Sequence, residues 1–273
     1  MTGPRPTVRD AAPGASAISL PAPGRRPILG VMQTAPVSVL DRIVAILEAV
    51  RGSGGAATVA DLARATGIPK STASRTVAEL VRRGYLERTP RGVVIGIRLF
   101  EFGARASTPR RLIAAALPVL AELFNATGEH LNVAVNEGTD MVSVISVRGR
   151  LRPPPSRAGV HVPAATTALG KAVLAFTSDQ SVVRGITTGL DSGARHRLER
   201  ELAGVRTRSV AIDRCETFPG VVGVASPILS REHAPVAAIS VAGPASGMDA
   251  ERMIPLVRHA ALALTRRLAL QVP

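Results

Sequence analysis

The structure of the N-terminal domain can be predicted from the stretch ATVADLARATGIPKSTASRTVAELVRRGYLERTPRGVVI, residues 57–95. It begins with Thr58-x-x-Asp61, a pair whose side chains can satisfy the free backbone amides of a helix start. A glycine at position 67 follows, and glycine accepts the left-handed backbone that closes many helices. A second helical run then ends near Gly84, and two short apolar segments flank a Thr89–Gly92 turn. Two helices joined by a tight turn and followed by a hairpin predict a winged helix-turn-helix.

The second of these helices, predicted from Pro69 to Arg83, has the pattern of a helix that reads DNA. A helical wheel centred on Val77 places Ala73 and Leu80 on the core side, with small hydroxyls and Arg75 on the opposite side. The first turn of such a helix enters the major groove, where arginine can bind guanine through two hydrogen bonds. The candidate DNA contacts are the polar and basic residues of this helix and of the hairpin: Lys70, Ser71, Thr72, Ser74, Arg75, Arg82, Arg88 and Arg91.

The rest of the chain predicts four regions. Residues 1–35 hold six prolines and no apolar period, which is typical of a disordered tail. Residues 36–96 form the winged helix-turn-helix domain, whose first helix starts at the capping pattern Ser38-x-x-Asp41. Residues 97–108 are predicted to form a linking helix, and residues 109–273 a second domain.

The second domain reads as α+β with an antiparallel sheet. Helices are predicted over 112–127, 167–176, 180–189, 194–202 and 250–270, strands over 131–137, 140–148, 210–213, 221–229 and 236–241, and an irregular loop over 151–155, which holds three consecutive prolines.

The charge balance favours an anionic partner. The chain has 34 Lys+Arg against 20 Asp+Glu, a formal net charge of +14. From Lys70 to Arg91 six basic and two acidic residues give a local net charge of +4. Only six residues are aromatic, five Phe and one Tyr, and this number is too low for the stacking surfaces that bind single strands. We therefore expect double-stranded DNA as the partner.

Catalytic and metal-binding patterns are missing from the sequence. The chain has one cysteine, Cys215, and five scattered histidines without metal-ligand spacing. Gly170-Lys171 is not a phosphate-binding loop, because Ala165 and Ala172 replace the required glycine and hydroxyl residue. We expect no enzyme activity, metal or cofactor. The longest charge-free run, 233–248, is too short to cross a membrane, so we expect a cytoplasmic protein.

The stretch from Ser38 to Gly96, and especially the segment from Ala57 to Gly103, resembles the N-terminal DNA-binding domain of the IclR family of bacterial transcriptional regulators. The resemblance continues at GVHVPAATTALGKAVLAF (159–176), IDRCETFPGVVGVASPI (212–228) and VAAISVAGP (236–244), in the family's order. It implies a GAF-like second domain that binds a small organic acid between the sheet and the 167–176 helix and that supports oligomerisation. The pocket residues that the resemblance implies are Ala168, Leu169, Asp213, Gly223, Ser240 and Ala242.

This chain departs from the family pattern at two pocket positions and at the two residues that follow Asp213. Asp213-Arg214-Cys215-Glu216 stands where members often carry Asp-Asp-Glu-Glu, and Gly223 and Ala242 stand where some members have Cys and Ser. The resemblance therefore implies a roomier and less polar pocket, whose effector cannot be carried over from the family.

Three functional hypotheses remain open on the sequence. The first is a homodimeric or tetrameric regulator that reads a pseudo-palindromic operator and is modulated by a small organic acid. The second is a small-molecule sensor or metabolic enzyme whose headpiece only contacts proteins. The third is a regulator that binds DNA constitutively and has a vestigial pocket.

Overall fold

The computed structural model describes residues 38–151 and 156–270, and only the backbone of Ser107 and Thr108. Two compact units divide between Leu117 and Pro118. The predicted tail and most of the three-proline loop lie outside the described residues. No helix in the described ranges is long and apolar enough to cross a membrane.

The first unit combines three core helices with a hairpin and a short fourth helix. Its elements are α1 (Val39–Gly52), α2 (Val59–Thr66), α3 (Lys70–Arg82), β1 (Leu86–Thr89), β2 (Gly92–Ile95) and α4 (Ile97–Gly103). Ser38 and Thr58 each accept a hydrogen bond from the backbone of an aspartate three residues on, and that aspartate bonds back, so both predicted capping boxes are confirmed. The buried side chains of the three helices and the hairpin form one core, which includes Ile46, Leu62, Val77 and Leu86.

The hairpin also forms a single β-bridge to a third segment, which the sequence pattern did not reveal. Ala57 exchanges two backbone hydrogen bonds of 2.9 Å with Val93, directly before α2 begins. Gly92 makes this approach possible, because a Cβ at that position would lie 2.3 Å from the carbonyl oxygen of Ala57. Its φ of 137° is also unfavourable for any residue with a side chain. The wing is therefore anchored to the turn between α1 and α2.

Two predicted helix boundaries in the connecting region are wrong. The linking helix α4 ends at Gly103 rather than near residue 108, and α5 spans Ser107–Thr127 rather than starting at Leu112. The sequence pattern suggested a break at Thr108-Pro109. A proline in the first helical turn removes only an N–H that has no partner within the helix, so Pro109 does not prevent an earlier start.

The second unit contains a six-stranded antiparallel sheet in the order β5-β4-β3-β8-β7-β6, as expected for the GAF-like α+β class. The strands are β3 (His130–Glu137), β4 (Asp140–Val147), β5 (His161–Pro163), β6 (Ala211–Arg214), β7 (Val221–Leu229) and β8 (Pro235–Pro244). The helices are α6 (Ala168–Leu174), α7 (Gln180–Thr187), α8 (Ser192–Arg208) and α9 (Ala250–Leu270). The short strand β5 was not predicted, and α8 runs six residues beyond its predicted end at 202.

Small residues bring α6 close to one face of this sheet. Ala134, Ala225 and Ala238 of the central strands share a buried cluster with α6, and every residue of α6 is buried. Since side chains alternate between the two faces of a strand, the same face carries the sites two residues away on each strand. The sheet positions that face α6 are therefore fixed by strand register.

Candidate nucleic-acid interface and ligand cavity

The exposed face of α3 carries the predicted DNA contacts near its start. Gly67, with a φ of 70°, closes α2 and lets α3 begin two residues after Ile68. Ala73, Val77 and Leu80 are buried, as the helical wheel predicts. Lys70, Ser71, Ser74 and Arg75 are exposed and Thr72 is half-buried. The first two turns of α3 therefore offer hydroxyls and two cationic groups to solvent.

Arg82 differs from the other predicted contacts because it is already paired. Its guanidinium donates to both carboxylate oxygens of Glu79, at 2.9 and 2.6 Å, and Arg83 donates to the same carboxylate. These hydrogen bonds lower the pKa of Glu79 to about 2, so the carboxylate stays ionised at neutral pH. In the described ranges, Lys70 and Arg75 have no such carboxylate partner.

The wing presents two more arginines. Arg88 lies on β1 opposite Val93, whose side chain is buried, and Arg91 lies in the turn between the strands. Both arginines are exposed. Together with the start of α3 they form what we call the basic surface: Lys70, Ser71, Thr72, Ser74, Arg75, Arg88 and Arg91.

A small cavity lies between α6 and the sheet of the second unit, and all six predicted pocket residues line it. Asp213 on β6 pairs with Gly223 on β7, and Gly223 pairs with Ala242 on β8, so these three form one row across the sheet. Ser240 pairs with Asn132 in the next row on that face. The start of α6 supplies the other two predicted residues, Ala168 and Leu169. The cavity holds about 50 Å³, and we call it the α6 cavity.

Among the described residues, Asp213 is the one charged side chain that lines this cavity, and it is 7% exposed. Burial raises the pKa of its carboxyl above the ordinary value of 3.8, while hydrogen bonds from Thr217 and from the Glu216 amide act in the opposite direction. The Glu216 N–H lies 2.8 Å from Asp213 Oδ1. The described part of the lining therefore combines an acid whose pKa is raised with no basic side chain.

Sequence profiles match both units of the chain. The profile described as "Bacterial transcriptional regulator IclR C-terminal" matches residues 105–266, and the profile described as "IclR helix-turn-helix domain" matches residues 39–90. The chain belongs to the IclR family. As an IclR-family protein it is a helix-turn-helix transcriptional regulator with a C-terminal effector domain, as the resemblance implies.

Named relatives of this IclR-family chain are regulators of transcription. The transcriptional repressor IclR of Escherichia coli is 28% identical over 243 residues, which are 84% of this chain and 89% of the relative. The glycerol operon regulatory protein of Streptomyces griseus is 29% identical over 250 residues, 85% of this chain and 96% of the relative.

A solved structure of an IclR homolog from Microbacterium hydrocarbonoxydans, complexed with 4-hydroxybenzoate, matches with a TM-score of 0.77 at 27% identity. The match covers 86% of this chain and all of that one. The IclR of Thermotoga maritima matches with a TM-score of 0.67 at 25% identity, covering 84% and 98% of the two chains.

The sequence did not predict half of the residues that line the α6 cavity of this IclR-family protein. The additional lining residues are Asn132, Ser156, Val162, Thr167, Phe218 and Val221. Asn132 had a usable signal, since it is a polar residue inside an otherwise apolar strand. Its Oδ1 accepts a 2.8 Å hydrogen bond from the hydroxyl of Ser156. Thr167 directly precedes the predicted Ala168 as the N-cap of α6. The remaining positions depend on contacts between distant segments, which a single sequence does not show.

Proposed function

We propose that this IclR-family protein is a homodimeric or tetrameric regulator that reads a pseudo-palindromic operator in double-stranded DNA. The observation that carries the proposal is the face of α3, where Ala73, Val77 and Leu80 are buried while Lys70 and Arg75 point away from the core without acidic partners among the described residues. In a twofold dimer, two such helices about one DNA turn apart would each enter a major groove. Because its target is the bacterial chromosome, we place the protein in the cytoplasm.

Exposed apolar side chains support association with a second copy. Helix α4 has no buried residue, and its Ile97, Phe100 and Phe102 side chains are 65%, 69% and 59% exposed. Phe102 stacks on Tyr85, with ring centroids 6.0 Å apart, which holds the helix against its own domain. Exposed large apolar side chains of this kind are typical of a protein interface. Sedimentation of the full chain, compared with a Phe100→Glu variant, tests whether α4 contributes to the dimer.

We further propose that a small organic acid binds in the α6 cavity and changes operator affinity. The hydroxyl of Ser240 and the side-chain amide of Asn132 meet the cavity, and neither the Ser240 hydroxyl nor the Asn132 NH₂ bonds to a described residue. Both can donate to a carboxylate. The 4-hydroxybenzoate in the Microbacterium homolog makes that acid a suitable first probe. We propose no catalytic role for the described lining residues and no enzyme activity for the protein.

Operator binding in the presence and absence of acids tests this function directly. The operator is first selected from random duplexes with the full-length protein and then located by footprinting. If 4-hydroxybenzoate or a related acid favours one DNA-binding state, operator affinity shifts about 5- to 150-fold, the range of typical coupling between sites. Absence of sequence-specific protection under every condition would refute the regulator proposal.

The small volume of the cavity favours one alternative, a regulator that binds DNA constitutively and whose pocket is vestigial. About 50 Å³ is well below the roughly 300 Å³ of common ligand pockets. Thermal unfolding separates the two proposals, because a ligand at 100 times its dissociation constant stabilises the protein by about 2.7 kcal/mol. A panel of acids that leaves the melting temperature unchanged supports the constitutive regulator.

A further inference from the structure

Lys171 is a fully buried basic residue among the apolar side chains of α6. It lies on α6 and is 1% exposed, a rare state for lysine unless it is paired. Its amine lies 2.6 Å from both carboxylate oxygens of Glu216 and 2.7 Å from Glu201 Oε2. Glu201 belongs to α8, and Glu216 to the segment between β6 and β7. One ammonium group therefore joins three separate parts of the domain.

The segment that carries Glu216 also builds one wall of the α6 cavity. We call residues 215–220 the strap, since they connect β6 to β7 across the start of α6. Phe218 of the strap lines the cavity, and so do Asp213 and Val221 at its two ends. The Glu216 amide donates to Asp213 Oδ1. The place of Glu216 therefore fixes the carboxylate that faces the cavity.

The strap is the wall best able to move. A cavity of about 50 Å³ must widen to admit an organic acid, since ligand pockets commonly hold roughly 300 Å³ or more. Helix α6 is buried throughout, and β7 and β8 are hydrogen-bonded along both edges. By contrast Glu216, Pro219 and Gly220 of the strap are exposed.

Neutral contacts hold the strap at several points. The Cys215 amide donates to the carbonyl of Val221, the Ala245 amide donates to the carbonyl of Gly220 at 2.9 Å, and the Thr217 hydroxyl donates to Thr166 Oγ1 at 3.1 Å. Phe218 packs against the buried cluster that includes α6. The Glu216 carboxylate, bound to Lys171, is its charged attachment. A charge-assisted hydrogen bond is stronger than a neutral one, so the ion pair is the contact that most restrains opening.

We propose that Lys171 is a positioning residue of the α6 cavity, whose amine holds the strap closed through Glu216. Burial strengthens this arrangement, because an open strap leaves the ammonium group in the protein interior with one carboxylate instead of two. The link to an effector rests on the function proposed above. Closure of the strap itself needs no ligand and is measurable without one.

Hydrogen exchange on the full-length protein without ligand tests the proposal. Peptides covering the strap report the amides of Cys215 and Glu216, and peptides from β8 report the sheet. We expect Glu216→Gln and Lys171→Met to raise strap exchange about tenfold or more, as losing a charge-assisted hydrogen bond implies. Glu201→Gln is the matched control, which touches the same amine from outside the strap. It should change strap exchange by less than about twofold, since the Lys171 pair with Glu216 remains.

A double-mutant cycle distinguishes positioning from simple support of the fold. The double variant Lys171→Met/Glu216→Gln should exchange no faster in the strap than the faster single variant, because both changes remove the same contact. Unchanged strap exchange in Glu216→Gln overturns the proposal, and so does a parallel rise in the β8 peptides. If Lys171→Met does not fold, the comparison of Glu216→Gln with Glu201→Gln decides the question. Failure of every acid to bind the wild type would refute the effector proposal and leave strap exchange unaffected.

Discussion

Replacing Arg75 with alanine should weaken operator binding far more than replacing Arg82, although both arginines lie on α3. Arg75 is exposed and has no carboxylate partner among the described residues. Arg82 is held by both oxygens of Glu79. Because DNA must compete with this carboxylate for Arg82, that side chain has less to contribute to the complex.

The size of the effect follows from the number of arginines in a dimer. Each Arg75→Ala dimer loses two cationic contacts. If each contacts a base, every lost contact reduces operator affinity about 5- to 150-fold. If each contacts a phosphate, the slope of log affinity against log salt falls by up to about 1.8, since each neutralised phosphate contributes about 0.9. Arg82→Ala should change operator affinity by less than about threefold, as for a weakly coupled surface charge.

Fluorescence anisotropy with a labelled operator duplex and a shuffled duplex, each over a series of salt concentrations, separates these outcomes. Glu79→Gln serves as the opposite perturbation, because it releases Arg82 and Arg83 from their shared carboxylate. We expect it to tighten binding to the shuffled duplex and to steepen the salt dependence. Equal losses for Arg75→Ala and Arg82→Ala would refute the assignment of α3's first two turns as the reading surface.

Three further predictions concern stability and the cavity. Thr58→Ala removes the side-chain cap of α2 and should lower the free energy of unfolding by about 0.5–2 kcal/mol, measured by denaturant titration. An unchanged free energy of unfolding would mean that the bridge between Ala57 and Val93 alone fixes the start of α2. A Cβ at Gly223 would lie 3.7 Å from the Cβ atoms of Ala168 and Asp213, an ordinary contact, so Gly223→Ala should fold normally. Gly223→Val should fill the α6 cavity. The valine variant should therefore lose the acid-induced shifts in melting temperature that the alanine variant retains. Because the pKa of Asp213 is raised in the folded protein, folding binds a proton there and stability falls as pH rises from about 4 through the folded pKa. Asp213→Asn should therefore make the free energy of unfolding less dependent on pH and raise the melting temperature at pH 7. Glu216 and Lys171 are the charged groups near Asp213 and stay unchanged in this variant. A stronger decrease of stability with pH in the variant would contradict the raised pKa.

Local chemistry explains what the sequence predicted well. Ser38 and Thr58 cap their helices through contacts three residues away, and Gly67 ends α2 through its own backbone preference. The burial of Ala73, Val77 and Leu80 follows from the period of one helix. All these interactions join neighbours in the chain, so a single sequence contains the information they need.

The missed features involve pairings between distant segments. The Ala57 bridge to Val93 and the strand β5 each depend on geometry rather than on residue type alone. The early start of α5 was missed because the pattern around Pro109 is compatible with either a break or a first turn. For the cavity, the family resemblance supplied six lining positions, and the structure added Asn132 and Phe218 among others.

The order of the elements apart from β5, the class of the two domains and the concentration of basic residues from Lys70 to Arg91 follow from the sequence. Tertiary structure alone decided that β3 lies beside β8, that Asp213, Gly223 and Ala242 form one row, and that the buried amine of Lys171 meets Glu201 and Glu216. The reason is that strand register is set by contacts across the whole sheet, and a slip of one residue would turn each of these side chains to the opposite face. The exposed face of α3 can therefore be predicted from the sequence, whereas the residues that line the α6 cavity come together only through the register of the folded sheet.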